Sequence, residues 1–154
     1  MCLLDLSAAF DTVDHCILLD RFEKTFCFTG WTIEWLRTYL ENRSFQVFFA
    51  NQFSSPVVLK CGVPQGSILG PLLFTTYMAE LEDVVKRHDC RLHIYADDNQ
   101  VYLHCRHSDS MAAAAKLGNC VGEVNAWMAS NRLKLNPAKT ELMWFSTRHR
   151  LKKL

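Results

Sequence analysis

The chain has 154 residues, 17 Lys and Arg against 16 Asp and Glu, 49% hydrophobic residues and 21% charged ones. That length and balance suit one domain with a real core, burying roughly 70% of its unfolded surface, and exclude a disordered or collagen-like chain. Seven Cys without a C-x-x-C pair read as reduced, mostly buried thiols of an intracellular protein, nuclear or cytoplasmic and not secreted, rather than as a disulfide scaffold.

Cys2 to Leu6 is a short apolar run, read as a buried strand that leaves its sheet at Asp5, whose charge also interrupts any secretory leader. Asp11 or Thr12 caps a predicted helix to about Thr25, with Val13, Ile17, Leu18 and Phe22 at helical spacing. Gly30 separates it from a second helix, Thr32 to Leu40. Phe45–Phe49 and Pro56–Leu59 are aromatic or β-branched runs around Asn51 and Ser54-Ser55, which predicts a β-hairpin. The uncharged stretch Cys61 to Ala79 approaches membrane-spanning length, but Pro64, Gln65, Gly66, Gly70 and Pro71 exclude a transmembrane helix and a membrane partner. Its second part opens a helical pattern from Ile68 to Lys86. Leu92–Tyr95 and Gln100–Leu103 are strand-like, with Asp97-Asp98-Asn99 at the turn between them. Ser110 to Ser130 is an Ala-rich helix, and Leu142–Phe145 reads as a last strand.

Strand, helices, strand pair, helix, strand is the order of an α+β, split βαβ (ferredoxin-like or RRM-like) domain, here with a helical pair and a hairpin inserted early. Charge is uneven along it. Residues 132–154 carry +6 and residues 1–131 carry −5. A basic end of this kind suits a phosphate backbone, and it equally suits a solvated tail.

The chemistry lies in carboxylates. Asp97-Asp98 sits at a turn, where acids are ordinary turn residues. Asp5 is placed in the same way at the end of an apolar strand. If those strands are neighbours, three carboxylates converge at one sheet end, repel each other and call for a cation. Oxygen ligands with no paired His or Cys select Mg²⁺ or Mn²⁺ over zinc. Two such ions about 4 Å apart would lower the pKa of an attacking hydroxyl and stabilise a leaving pyrophosphate. The residues therefore point to metal-assisted phosphoryl or nucleotidyl transfer.

Three segments carry a family resemblance. Leu4-Asp5-Leu6-Ser7-Ala8-Ala9-Phe10-Asp11, Gly62-Val63-Pro64-Gln65-Gly66-Ser67 and Tyr95-Ala96-Asp97-Asp98 resemble palm motifs A, B and C of reverse transcriptases, in the family's order. Leu133 to Thr140 is similar to motif D. The wording Phe-Asp-Thr-Val-Asp-His and Gly-Ser-Ile-Leu-Gly-Pro resembles the non-LTR (LINE-type) retrotransposon branch.

The resemblance implies an RNA-directed DNA polymerase palm over residues 1–147, followed by a basic tail, 148–154. Its cofactors would be two Mg²⁺ or Mn²⁺ ions, and its partners an RNA template with a DNA primer and a dNTP. Asp5 and Asp97 would hold the metals, with Leu6 contributing at the metal site and Asp98 as a supporting acid. Phe10 would be the steric gate under the sugar, its alternative fate being a core ring. Backbone N–H groups of the Leu6, Ser7, Ala8, Ala9, Phe10 segment would meet the triphosphate where strand turns to helix. Gln65 and Gly66 would contact the incoming nucleotide and the template base, and Lys139 would protonate the pyrophosphate. The family's fingers lie upstream of motif A, and a thumb lies downstream. Neither is in this sequence, so the expectation is a palm-centred fragment whose missing parts another chain would supply.

Other features are given structural readings. His104-Cys105-x-His107 lacks ordinary zinc spacing. Asp11 and Asp14 read as cap and first-turn acids, and Trp31, Trp35, Trp127 and Trp144 as packing residues. No G-x-x-x-x-G-K-[ST] occurs. Two further readings compete with the polymerase: a catalytically silent retroelement remnant that binds nucleic acid or protein, and a diverged RNA-recognition-like module.

Overall fold

The computed structural model describes residues 1–146; the basic tail predicted at 148–154 lies outside the described residues. In chain order the elements are β1 (Cys2–Leu4), α1 (His15–Lys24), α2 (Trp31–Leu40), β2 (Ser44–Phe45), β3 (Phe48–Phe49), β4 (Gln52–Phe53), β5 (Val57–Val58), α3 (Gly70–Tyr77), α4 (Leu81–Arg87), β6 (Arg91–Tyr95), β7 (Asp98–Tyr102), α5 (Ser110–Ser130) and β8 (Glu141–Leu142). Single 3₁₀ turns occupy Ala9–Asp11 and His107–Asp109. The fold is α+β. It divides into two compact units: residues 1–9 with those from Met78 onward, and the intervening Phe10–Tyr77.

The first unit is built on a four-stranded sheet of order β6-β7-β1-β8, antiparallel throughout. The alternation of strand side chains sets its two faces. Cys2, Leu4, Asn99 and Val101 point into the core, where they meet α5, whose Ala113, Leu117, Cys120, Val124 and Met128 form one buried stripe. Leu81, Val84 and Val85 of α4 complete that core. Arg87 and His88 of the α4 end donate to Glu123 of α5, and Lys116 of α5 donates to Asp89 at 2.6 Å. Cys2, Cys90 and Cys120 are buried, and burial pushes the Cys120 thiol up to about 12. Cys16, Cys27, Cys61 and Cys105 are exposed, so the thiols are not mostly buried as their number suggested.

The second unit packs α1 against both α2 and α3 through Leu18, Leu19, Phe22, Ile33, Leu36, Leu40, Leu73 and Phe74. Arg21 is buried with its guanidinium over the Tyr77 ring, 5.2 Å from the centroid.

Several boundaries differ from the sequence expectation, each for a local reason. Helix α1 is capped by Asp14, whose Oδ1 accepts from the N–H of Cys16 and Ile17, not by Asp11 or Thr12. The chain is still extended at Asp14, where it bridges Cys61. The pattern from Ile68 to Lys86 is two helices, α3 and α4. In α3, Thr75 and Thr76 return their hydroxyls to the carbonyls of Pro71 and Leu72, a back-bonding that weakens a helix end. The hairpin consists of two short ladders, β2 with β5 and β3 with β4, turning at Ala50-Asn51, both at positive φ. The last strand is shorter than Leu142–Phe145. Trp31 is 91% exposed and Trp35 lies on the surface against the Tyr39 ring, so neither is core, whereas Trp127 is half-buried on α5.

Candidate active site

The register of the first unit decides where its acids stand. Leu4 of β1 pairs with Asn99 of β7, so Asp5 leaves β1 beside Asp98, the first residue of β7. Asp5 and Asp98 line one open cavity of about 500 Å³, together with Gln100, Lys139 and Glu141. Asp97 is one residue further into the β6–β7 turn, which starts at Ala96 with φ +52° and does not line that cavity. Two of the three carboxylates expected to converge therefore share a cleft. Among the described residues no three His, Cys, Asp or Glu side chains gather as a metal site would require.

The Asp5 carboxylate already has partners. Its Oδ2 is 3.6 Å from Lys139 Nζ and accepts from Asn136 Nδ2 at 3.3 Å. The Asn136 backbone N–H donates to the Asp5 carbonyl at 2.9 Å, and the Ser7 N–H donates to the Lys134 carbonyl at 2.9 Å. These two bonds flank a bridge between Leu6 and Leu135. The Ser7 amide is thus engaged within the first unit. Ala8 follows with φ +50°, and Ala9 is buried. The cleft offers carboxylate and amide oxygens with no Cys or His among its lining, a donor set that suits a hard divalent cation.

The second unit holds the other expected residues. Phe10 is half-buried, its ring 5.1 Å from that of Phe74. Gln65 and Gly66 lie exposed on the loop before α3, and Gln65 Nε2 donates to Asp11 Oδ1 at 3.5 Å. Ser67 ties the loop to the helix: its hydroxyl donates to the Pro64 carbonyl and accepts from the Gly70 N–H. Gly62 at the loop entry has φ +90°, and a Cβ there would lie 3.0 Å from the Asp11 carbonyl oxygen. Asp11, Arg43, Phe45 and Gln65 line a shallow cavity of about 470 Å³.

The family profile described as reverse transcriptase (RNA-dependent DNA polymerase) matches residues 1–152. The chain belongs to the reverse transcriptase family. It is 37% identical over 142 residues to the probable RNA-directed DNA polymerase from transposon BS of Drosophila melanogaster, an alignment covering 89% of this chain and 15% of that protein. It is 30% identical over 151 residues to the probable RNA-directed DNA polymerase from transposon X-element of the same fly, covering 96% and 16%. With the RNA-directed DNA polymerase from mobile element jockey it shares 28% over 150 residues, covering 94% and 16%. The chain thus spans about a sixth of the length of the curated relatives it matches.

Asn136 and Asn99 stand beside the acid cleft of the first unit, and His15 and Arg43 at the loop of the second, none of them singled out in the sequence. Asn136 was visible as an Asn-Pro turn, and in the fold it grips Asp5 through both side chain and backbone. Asn99, 1% exposed, faces the core and donates from Nδ2 to the Asp97 carbonyl at 2.9 Å. His15 ends the Phe-Asp-Thr-Val-Asp-His wording, and Arg43 is a lone basic residue before the aromatic run. Both reach the Gly62 carbonyl, His15 Nε2 at 2.8 Å and Arg43 Nη1 at 3.2 Å.

Proposed function

We propose that the chain is the catalytic palm region of an RNA-directed DNA polymerase that adds a dNTP to the 3′-OH of a primer on an RNA template. The observation that carries the reading is the shared cleft of Asp5 and Asp98 with Lys139 at its rim. In this family, two acids on neighbouring strand ends have an evident use. The strand order β6-β7-β1-β8 with α5 between β7 and β8 is consistent with the split βαβ plan.

In this reading Asp5, Asp97 and Asp98, with the Leu6 carbonyl, are the oxygen donors for two Mg²⁺ or Mn²⁺ ions. When bound, those ions supply a lowered pKa for the primer hydroxyl and neutralise charge on the leaving pyrophosphate. The chain's own residues do the rest. Asn136 and Lys139 orient the Asp5 carboxylate. Lys139, two-thirds exposed, is the proton donor to pyrophosphate. Phe10 packs on Phe74 and presents a flat apolar wall to the sugar, so a 2′-OH there would lose its hydrogen bonds to water. Gln65 and Gly66 meet the nucleotide and the template base.

Single-nucleotide primer extension on an RNA template with Mg²⁺ or Mn²⁺ tests this. Incorporation by the native chain, reduced at least about 100-fold in Asp97→Asn/Asp98→Asn, is the expected result. Equal activity in both would overturn the assignment of the acids. Absence of activity from both would favour a catalytically silent nucleic-acid-binding module for this stretch of chain.

A further inference from the structure

The loop that carries Gln65 and Gly66 begins at a residue with unusual freedom. Gly62 sits at φ +90°, a conformation open to glycine at no steric cost and strained for a residue with a side chain. What removes that freedom is the peptide unit joining Gly62 to Val63. Its N–H, from Val63, donates to the Phe10 carbonyl at 2.8 Å. Its carbonyl, from Gly62, accepts from His15 Nε2 at 2.8 Å and from Arg43 Nη1 at 3.2 Å. The preceding N–H, of Gly62, donates to the Val13 carbonyl at 2.8 Å. Both lone pairs of a carbonyl on a buried glycine are thus matched by side chains from separate elements, one opening α1 and one preceding β2.

We propose that His15 and Arg43 are positioning residues that pin the Gly62–Val63 peptide plane and so hold Gln65 and Gly66 in the orientation that nucleotide binding needs. A carbonyl oxygen only accepts, so the arrangement fixes the imidazole with its proton on Nε2. His15 does not line the cavity that Arg43 shares with Gln65. A flip of this planar unit about ψ of Gly62 and φ of Val63 would break the Val63 N–H bond to Phe10 together with both carbonyl bonds. The two side-chain donors thus add to a single backbone bond in opposing that flip. The shape of the pin also accounts for a glycine at 62, since the same close approach leaves 3.0 Å between a Cβ and the Asp11 oxygen. The functional half of the proposal rests on the reading that Gln65 and Gly66 meet the nucleotide; the pin itself does not.

The test uses the full chain with His15→Leu, Arg43→Met and the donor-conserving His15→Gln. Backbone amide hydrogen exchange is followed at Val63, Ser67 and, as controls, in β7 and α5. The expected result is exchange at Val63 and Ser67 faster by about tenfold in His15→Leu and Arg43→Met, native-like in His15→Gln, and unchanged in the controls. Unchanged Val63 exchange in the two donor-deleting variants would overturn the pin. So would exchange that rises equally in the loop and the controls, or the absence of rescue by Gln. If His15→Leu does not fold, Arg43→Met decides alone by the same criterion. The imidazole ¹⁵N shifts give an independent reading: a proton on Nε2 is expected, and an unprotonated Nε2 sinks the proposal. Nucleotide affinity then separates the two readings. A raised dNTP KM at unchanged kcat in His15→Leu, restored in His15→Gln, supports the functional half, whereas a native chain without dNTP affinity beside intact loop protection removes that half and leaves the pin.

Discussion

The acids of the first unit and the loop of the second are held in opposite ways. Asp5 is half-buried and held by Asn136 and by an ammonium that is itself two-thirds exposed and 3.6 Å away. Gly62 is buried, and its carbonyl is held by two side-chain donors at 2.8 and 3.2 Å. An exposed ion pair contributes about 0–1 kcal/mol and rearranges readily, whereas a buried polar group left without its partner costs about 1–3 kcal/mol. The loop therefore behaves as fixed scaffold and the acid cleft as an adjustable one.

The sharpest way to break the fixed side is Gly62→Ala. It places a Cβ at positive φ and within 3.0 Å of the Asp11 oxygen and 3.2 Å of the Phe10 oxygen. A destabilisation on the order of 2–4 kcal/mol is expected, read as a lowered midpoint in urea at unchanged slope. A variant as stable as the native chain would show that this entry is soft. Next in size is Asn99→Ala. It deletes a buried side chain that ties the Asp97 carbonyl and should cost about 1–2 kcal/mol. On the reading of Asp97 as a metal ligand it also loosens that residue, so metal affinity should fall along with stability. Stability lost with metal affinity intact would confine Asn99 to packing.

How much of this was legible in the chain depended on range. Ser110–Ser130 reads as a helix at both ends because its stripe of Ala113, Leu117, Cys120, Val124 and Met128 is local and uninterrupted. The helix from Ile68 onward misled for the opposite reason: apolar spacing continues through Tyr77, Met78 and Leu81, all fully buried, while the backbone breaks beneath it. Asp11 and Asp14 are equally good caps by type, and the choice between them was made by Cys61, 47 residues beyond Asp14, through a strand bridge. Motif wording named Asp5 and Asp98, which line one cavity, since residue type and order carry it. It did not find Asn136 or His15, because their work is to bond backbone carbonyls or carboxylates far away in sequence, and such a partner leaves no trace in spacing.

A smaller effect probes the link between α4 and α5, away from both site regions. The Arg87 hydrogen bond, and after it that of His88, holds the Glu123 carboxyl below the usual range, and Lys116 does the same for Asp89. Both groups have a lower pKa folded than unfolded. Their contribution is therefore present above the ordinary carboxylate value near 4 and is lost as pH falls through the lowered folded values. The melting temperature should drop between pH 5 and pH 3, and by less in Glu123→Gln than in the native chain. An equal drop in both would place the acid sensitivity elsewhere.

The smallest change in stability, and the most informative for the adjustable side, is Lys139→Met. The ammonium and a divalent cation seek the same Asp5 oxygen, so in the metal-free protein Lys139 and Asn136 do part of a cation's electrostatic work. Removing Lys139 removes a competitor worth about 0–1 kcal/mol, which leaves folding stability within about 1 kcal/mol and raises Mn²⁺ affinity by up to about fivefold. Asn136→Ala removes a neutral donor from the same oxygen and should raise affinity less, because no charge is displaced. Mn²⁺ titration followed by electron paramagnetic resonance reads both variants. If Lys139→Met bound Mn²⁺ more weakly, the ammonium would be helping to shape the cation site rather than standing in for its occupant, and the acid cleft would be as fixed as the loop.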